Sequence, residues 1–320
     1  MAKGRKDARS YENPEIKTLP GYHNSHFEKL YFFNSDRKII LNNNFTVSDE
    51  NPDGIKKLVK PGTHPKAIGI ELEHVSDFLR NNIPVYINLM DLIFTKCGFD
   101  NDFWRSEKDG TVDVESITQT FSRAWLRNNY KSFKAMYEMF EKFGITTNSE
   151  RCGMHVNINL SNFGNDFETA LENARKLGYV VNKHYALMKI AFNRTGNRTT
   201  YCSEMISTKE YWQNTPVYDF PNDHYCSYNL AHIQNWRVEL RLVGGQKNYA
   251  CFRNTMETVF HLIDRVCKLS WKDLDDVTKL FSGCNTHVFD RLSTNCLDAG
   301  VISYGVVSEI RDTVKPERWL

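Results

Sequence analysis

Residues 69–73 read Gly-Ile-Glu-Leu-Glu, and residues 153–159 read Gly-Met-His-Val-Asn-Ile-Asn. Apolar and polar residues alternate strictly along both stretches. Successive side chains of a β-strand point to opposite faces, so each stretch predicts a strand with one apolar and one polar face. Residues 112–115 (Val-Asp-Val-Glu) and 237–242 (Arg-Val-Glu-Leu-Arg-Leu) alternate in the same way. A sheet of these four strands would bury one face in a core and gather carboxylates, an imidazole and guanidinium groups on the other.

The polar face has two interpretations. Antiparallel sheets often have one solvated face, so any one of these strands could simply face water. Glutamate is depleted in ordinary strands, however, and the carboxylates of Glu71 and Glu73 repel each other unless a cation relieves them. Together the four strands favour a site that holds divalent metal and phosphate, because carboxylates bind magnesium and arginines bind phosphate.

The length and charge of the chain limit the classes of function. Its 320 residues allow one large domain or two ordinary ones. The formal net charge is only +2, so nucleic acid is not expected as a general partner, although a local basic pocket is allowed. No run of 18 apolar residues exists, so no membrane span is expected. The charged start, Met1 to Lys6, lacks the apolar segment of a secretory signal, and we expect a cytoplasmic protein.

Eight cysteines are scattered along the chain, and none forms a Cys-x-x-Cys pair. A chain of this size does not need disulfides, and the spacing is not that of a zinc site. We therefore expect reduced, mostly buried thiols.

The order of the predicted elements favours an α+β fold, with a mainly antiparallel sheet and helices packed on one face. Residues 1–65 are polar and rich in turn residues, so we interpret them as an N-terminal extension of a main domain at 66–320. Strands at 224–231 and 236–243 are expected to form a hairpin closed by a turn at Gly244-Gly245. The periodicity predicts helices at 85–97, 122–143, 167–192, 248–268, 286–298 and 303–312.

Five motifs, taken in order, resemble those of the amidoligases, which are carboxylate–amine ligases related to glutamine synthetase and glutamate–cysteine ligase. Gly69–Glu73 resembles the family's opening strand, Gly-hydrophobic-Glu-hydrophobic-Glu, and Cys152–Val156 resembles its Cys-Gly-Leu-His-Val. Asp109-Gly110-Thr111 followed by Glu115 resembles the family's Asp-Gly-Ser…Glu segment, although Asp109-Gly110 fits a plain β-turn equally well. Asn197–Cys202 resembles its Arg…Tyr-Cys element, and Arg237–Arg241 resembles its late Glu-Phe-Arg strand.

The resemblance covers residues 66 to about 270 and has two departures. The family often has a second histidine where Asn157 stands here, and the extension at 1–65 has no counterpart. The resemblance implies a glutamine synthetase-like catalytic fold over 66–320. It also implies an ATP- and magnesium-dependent ligase that forms an amide or peptide-like bond through an acyl phosphate, with small-molecule or peptide carboxylates and amines as substrates. Family members are frequent in phage genomes, so a phage-encoded chain would be expected in the host cytoplasm.

The carboxylates of the polar face are the candidate metal ligands, because magnesium takes oxygen ligands. We assign Glu71, Glu73 and Glu239 to the metal. Glu115 is a fourth candidate that could equally bind substrate or be plainly exposed. By the resemblance, His155 lies near the metal or the nucleotide phosphates; the alternative is a structural histidine.

Four arginines are the candidate phosphate-binding and substrate-binding groups. Arg241 shares a strand face with Glu239, and its guanidinium could bind phosphate bidentately. Arg237 is either a second cofactor-binding group or a surface residue. Arg198 could bind phosphate or the substrate carboxylate, and we assign it to catalysis with Arg241 and His155. Arg194 binds phosphate or simply complements a helix C-terminus.

Two other functions stay open at this point. A non-catalytic structural or interaction protein could keep the fold, and Asn157 in place of a second histidine is compatible with it. A metal-dependent hydrolase or nuclease could use the same carboxylates, since such clusters also build two-metal sites. The near-neutral net charge disfavours a general nuclease.

Overall fold

The computed structural model describes residues 66–99, 103–109, 111–118, 121–194, 202–220, 225–230, 233 and 237–316. The extension at 1–65, Gly110 and the candidate catalytic residue Arg198 lie outside the described residues.

The described strands form one open sheet of seven strands in the order β2-β3-β1-β5-β7-β6, with β4 also paired to β1. Every pair is antiparallel. The strands are β1 (Ala67–His74), β2 (Trp104–Glu107), β3 (Val114–Thr118), β4 (Phe121–Ser122), β5 (Met154–Asn159), β6 (Tyr228–Asn229) and β7 (Arg237–Leu240). The predicted α+β class with a mainly antiparallel sheet is therefore confirmed.

The described α-helices are α1 (Ile83–Lys96), α2 (Arg123–Asn128), α3 (Tyr130–Lys142), α4 (Phe167–Lys183), α5 (Tyr185–Ala191), α6 (Lys209–Asn214), α7 (Tyr249–Val266), α8 (Val277–Phe281), α9 (Thr286–Asp290) and α10 (Tyr304–Arg311). A π-helix, Arg291–Cys296, directly follows α9. No described helix is long and apolar enough to cross a membrane.

Two predicted long helices are each divided in two. The helix predicted at 122–143 breaks at Asn129, whose Nδ2 donates to the carbonyl of Trp125 at 2.8 Å. The helix predicted at 167–192 breaks at His184, whose Nε2 donates to the carbonyl of Leu274 at 2.9 Å. The side chain of Asn129 thus bonds a carbonyl of its own helix, whereas the side chain of His184 anchors the break to a distant segment.

The turn predicted at Gly244-Gly245 is wrong. The pairing of β6 with β7 confirms the predicted antiparallel neighbours, in a shorter form. Gly244, however, does not close that hairpin: it follows β7 and forms a bridge with Gly153, the residue before β5. A Cβ at Gly245 would lie 1.5 Å from the carbonyl oxygen of Thr147, so this glycine allows two backbones to touch.

The core lies against the apolar face of the sheet. Ile70 of β1, Val156 of β5 and Leu240 of β7 are fully buried in one cluster with Met90 of α1 and Phe133 of α3. None of the eight cysteines forms a disulfide and six of them are buried, as expected from their spacing. The helices thus cover the apolar face, and the opposite face of the same strands is left to the polar residues.

His74 ends β1 on the apolar face, next in sequence to the candidate ligand Glu73. Its Nδ1 lies 3.0 Å from Tyr86 Oη and its Nε2 lies 2.7 Å from Ser116 Oγ, which in turn lies 2.7 Å from Ser106 Oγ. Burial lowers the pKa of His74 to about 3. This histidine is therefore a neutral structural group.

Acid is expected to destabilise the fold through His261 of α7. Its Nε2 donates to the carbonyl of Leu280 at 3.0 Å, and burial lowers its pKa from 6.5 to about 4. Below pH 6.5 the unfolded chain therefore takes up a proton that the folded chain does not. Stability should fall between pH 6.5 and 4, by up to about 3 kcal/mol from this group alone.

Urea unfolding of the wild type and of His261→Gln at pH 7, 6 and 5 measures this effect. Glutamine can keep the donor to Leu280 but does not titrate, so the stability difference between the two proteins should narrow or reverse as the pH falls. A difference that stays constant across this range would contradict the assignment.

Candidate functional site

The register of the sheet collects the predicted site residues on one face. Glu71 of β1 lies opposite His155 of β5, Glu73 lies opposite Glu115 of β3, and Asn157 lies opposite Glu239 of β7. Directly opposed residues of antiparallel strands point to the same side of the sheet. The four carboxylates and the imidazole therefore come from four neighbouring strands that run side by side.

Local hydrogen bonds hold β1 against the start of β5. The amide of Glu73 donates to the carbonyl of Gly153 at 3.1 Å, and the amide of Gly153 donates back to Glu73 Oε2 at 2.5 Å. On the other side, the amide of Ile70 donates to Thr118 Oγ1 at 2.9 Å. These bonds fix the carboxylate of Glu73 beside the entry to β5.

His155 lies among the carboxylates, with its side chain only 8% exposed. Its Nδ1 is 3.1 Å from Glu71 Oε2 and 3.5 Å from Glu239 Oε1, while its Nε2 is 3.9 Å from Glu73 Oε1. The imidazole thus points one nitrogen toward each of two groups of acids. His155 lies on the polar face and not in the apolar core.

Two sets of side chains have the dimensions of a cation site. One ligand atom each from Glu71, His155 and Glu239 lies within 4.8 Å of the others, and the same holds for Glu73, Glu115 and His155. Carboxylate oxygens are the donors that magnesium prefers, and imidazole is tolerated by other divalent ions such as Mn²⁺. The residues present therefore fit a divalent cation.

The electrostatics of Glu115 agree with that fit. Burial is the largest cause that raises the pKa of the Glu115 carboxyl well above its ordinary value, and the negative charges of Glu71, Asp109, Glu73 and Glu107 raise it further. A cation among these carboxylates would relieve the repulsion. Glu115 consequently faces the cluster and is not a plainly exposed surface residue.

Arg241 reaches the same face from a β-bulge. The regular strand β7 ends at Leu240, and the amides of Arg241 and Leu242 both donate to the carbonyl of Ser227, at 2.9 and 3.0 Å. Two residues opposite one is the pattern of a bulge, which re-aims a side chain. Arg241 Nη1 donates to Glu239 Oε1 at 2.6 Å. Burial would lower the pKa of Arg241, but the carboxylates of Glu239, Glu71 and Glu73 outweigh it and raise it.

Arg237 is not a surface residue, which corrects one of the two sequence-based interpretations. It is only 2% exposed, and its Nη1 lies 3.9 Å from Glu71 Oε1. Burial lowers the pKa of its guanidinium to about 9, so it stays charged at neutral pH. Arg237 therefore places a second buried cation beside the carboxylates.

Arg194 follows α5, but its side chain is buried and is not a solvent-facing cation at the end of that helix. Its Nη1 donates to the carbonyl of Val243 at 3.3 Å. A Cβ on Gly153 would lie 2.8 Å from Arg194 Nη1, 3.3 Å from Glu73 Oε2 and 3.5 Å from His155 Nε2. The missing side chain of Gly153 thus makes room for the guanidinium beside two candidate ligands.

Sequence reasoning missed two polar residues of this face, Arg105 and Glu107 of β2, and placed Asn157 on it without giving Asn157 a role in the site. Asn157 is fully buried and donates to Glu71 Oε1 at 2.9 Å, while its Oδ1 accepts a hydrogen bond from none of the described residues. Glu107 of β2 lies opposite Glu115, and Arg105 Nη2 lies 3.6 Å from Glu107 Oε2. The alternation Trp-Arg-Ser-Glu at 104–107 was the available signal for the last two.

Cys152, the residue before Gly153, is buried beside this site. Burial is the main cause that raises the pKa of its thiol to about 11, so the thiol is protonated at neutral pH.

Comparisons with known proteins add no relative: no protein-family model matches the chain, and no curated protein matches it.

Proposed function

We propose that this chain is an ATP- and magnesium-dependent carboxylate–amine ligase with a glutamine synthetase-like catalytic domain. The observation that carries the proposal is the shared position of His155 between two sets of carboxylates, with the buried Arg194 and Arg237 and the largely buried Arg241 around them. The order of the five sequence motifs and the antiparallel sheet with one acidic face support the same class. The carboxylate and the amine are small molecules or peptides in this proposal.

The carboxylates provide the metal positions. Glu71 and Glu239 with His155 form one position, and Glu73 and Glu115 with His155 form the other. A bound divalent cation would neutralise the charge of the triphosphate, whose transfer depends mainly on positioning and electrostatics. The buried Oδ1 of Asn157 adds a neutral oxygen next to Glu71, so loss of a second histidine at 157 leaves a polar ligand atom at the site.

The arginines provide the phosphate-binding groups. Arg241 uses one nitrogen for Glu239, and its buried Nε has no hydrogen-bond partner among the described residues. A guanidinium has five donors in a fixed fork, so donors remain for phosphate oxygens while Glu239 orients the group. Arg237 and Arg194 add positive charge on the side of Glu71 and of Glu73, respectively.

The reaction joins a carboxylate to an amine in two transfers. The substrate carboxylate oxygen attacks the terminal phosphorus of ATP, the bond to ADP breaks, and an acyl phosphate forms. The amine nitrogen then attacks the acyl carbon, phosphate leaves, and the nitrogen loses a proton. Arg241 is suited to stabilise the charge on the transferring phosphoryl oxygens, because electrostatic stabilisation by fixed donors is the main contribution a protein makes to such a step.

Melting temperature tests the proposal against its two competitors. We expect ATP with Mg²⁺ at about 100 times its dissociation constant to stabilise the protein by roughly 2.7 kcal/mol, a shift of about 5 °C, with little shift from either alone. A metal-dependent hydrolase or nuclease should respond to Mg²⁺ alone, and a scaffold to neither. The same protein should then be screened for ADP formation with amino acids, polyamines and peptides, with mass spectrometry of the products.

A further inference from the structure

Arg291 is a buried arginine far along the chain from the acidic face. It begins the π-helix Arg291–Cys296 and is only 2% exposed. Its Nη1 donates to Asn193 Oδ1 at 3.4 Å, and its Nη2 donates to the carbonyl of Cys251 at 3.2 Å. Burying a guanidinium is costly unless its N–H donors make hydrogen bonds. π-Helical turns are rare in proteins, and those that occur often lie near functional sites. The contact with Asn193 therefore needs a reason.

Asn193 has a left-handed backbone conformation, with φ of +59°. Asparagine is common in this conformation just after a helix, and here the amides of Asn193 and Arg194 donate to the carbonyls of Ile190 at 3.0 Å and Lys189 at 2.7 Å, which ends α5 in a Schellman motif. Besides the contact with Arg291, Asn193 Nδ2 donates to the carbonyl of Gly245 at 2.8 Å. Both hydrogen-bonding atoms of the Asn193 side chain are thus fixed by segments distant in sequence.

Gly244 packs closely against the backbone of Asn193 and Arg194. A Cβ at Gly244 would lie 2.2 Å from the carbonyl oxygen of Asn193 and 2.7 Å from Arg194 Cα. The amide of Gly244 also donates to the carbonyl of Phe192 at 3.0 Å. Residues 192–194 are therefore packed directly on the glycine that extends β7 toward Gly153.

These contacts at Asn193 determine where the side chain of Arg194 lies. Because Asn193 turns the chain with a positive φ, the next residue leaves the end of α5 and enters the polar face instead of continuing toward solvent. Its guanidinium then lies against Gly153, beside Glu73 Oε2 and His155 Nε2. The contacts form a continuous series from the π-helix to the carboxylates.

We propose that Arg291 is a positioning residue: by holding Asn193, it fixes the guanidinium of Arg194 beside the cation position of Glu73, Glu115 and His155. This inference rests on the proposed function only for that cation position. The placement of Arg194 follows from the contacts alone. The positive charge of Arg194 thus has two effects at this face. It weakens the binding of a cation without phosphate, and it attracts the phosphates that the cation would accompany.

The effect on a bare cation gives a direct test. The guanidinium of Arg194 lies close to Glu73 and repels a cation bound there. Arg194→Gln should therefore tighten Mn²⁺ binding by at least about fivefold. Arg291→Gln should release Arg194 and tighten Mn²⁺ binding by about threefold or more. In the Arg194→Gln background, Arg291→Gln should change the affinity by less than about 1.5-fold, because residues that act through one group are not additive.

The experiment is a double-mutant cycle by isothermal titration with Mn²⁺, together with a crystal structure of Arg291→Gln. Asn193→Gly is the second variant, because glycine keeps the positive φ while it removes both side-chain bonds. Arg311→Gln, which removes an exposed arginine of α10, is the matched control and should leave Mn²⁺ affinity unchanged.

The inference is overturned if Arg194 keeps its place beside Gly153 in both Arg291→Gln and Asn193→Gly. It is also overturned if Arg291→Gln has the same effect with and without Arg194. A wild type that binds no Mn²⁺ would remove the cation position from the proposed function, and the position of Arg194 in the two variants would still decide the inference.

Discussion

Replacing Glu71 by glutamine is expected to weaken divalent-cation binding by at least about 100-fold and to abolish nucleotide turnover. Groups that merely orient metal ligands are worth 10- to 100-fold in affinity, and a direct ligand is worth at least as much. Glu71 has three partners at the site: His155 lies at 3.1 Å, Asn157 at 2.9 Å and Arg237 at 3.9 Å from its oxygens. Titration with Mn²⁺ and a steady-state assay of ATP turnover measure the two effects.

Glu107→Gln is the matched control for this substitution. Glu107 is a buried glutamate on the same sheet face, opposite Glu115, but it belongs to neither set of candidate ligands. Its replacement removes the same charge at a greater distance from the cation, so we expect less than about a fivefold loss of affinity. Equal losses in the two variants would show that only the total charge of the face matters, and would contradict a defined metal position at Glu71.

The alternation of β1 and β5 was enough to predict which side chains share the acidic face. Glu71, Glu73, His155 and Asn157 could be assigned because a strand has a period of two, and that period is local. The register that sets Glu71 opposite His155 is not local. It depends on how far β5 slides along β1, and the hydrogen bonds between Glu73 and Gly153 that fix it join residues distant in sequence.

The elements that were missed depend on distant partners. Strand β2 lacks the regular apolar alternation that predicts a strand, because Ser106 occupies a core-side position and forms a hydrogen bond with Ser116 of β3. The bulge at Arg241 requires the carbonyl of Ser227. The buried position of Arg194 requires Gly244, which sequence reasoning interpreted as part of a hairpin turn. In each case the sequence offers the residue but not the neighbour that gives it its role.

The burial of the arginines could not be predicted from the sequence either. The sequence of a strand does not show whether an arginine side chain faces water or is buried, so Arg237 could be interpreted as a surface group. In the structure its burial is compensated by nearby acids, Glu71 among them. Whether an arginine is buried depends on the carboxylates that surround it, and those come from other strands.

Replacing Arg241 by lysine is expected to lower the turnover number by about 100- to 1,000-fold, the cost of losing one fixed donor at a developing oxyanion. Lysine keeps the positive charge, but all its donors lie on one nitrogen, so it lacks the fork with which Arg241 can hold Glu239 at 2.6 Å and still offer parallel donors to phosphate oxygens. The Michaelis constant for ATP should rise less than the turnover number falls. Arg265→Lys, at the last turn of α7, is the control and should behave as the wild type.

The products of turnover decide whether the role given to Arg241 is the right one. If the carboxylate attacks the terminal phosphoryl group, oxygen-18 placed in the substrate carboxylate should appear in the released phosphate, with ADP as the co-product. Hydroxylamine should replace the amine and yield a hydroxamate, because an acyl phosphate reacts with any good nucleophile. Both signals should fall in Arg241→Lys in proportion to turnover. AMP with pyrophosphate would instead mean attack on the innermost phosphoryl group, and Arg241 would then be stabilising a different transfer from the one proposed.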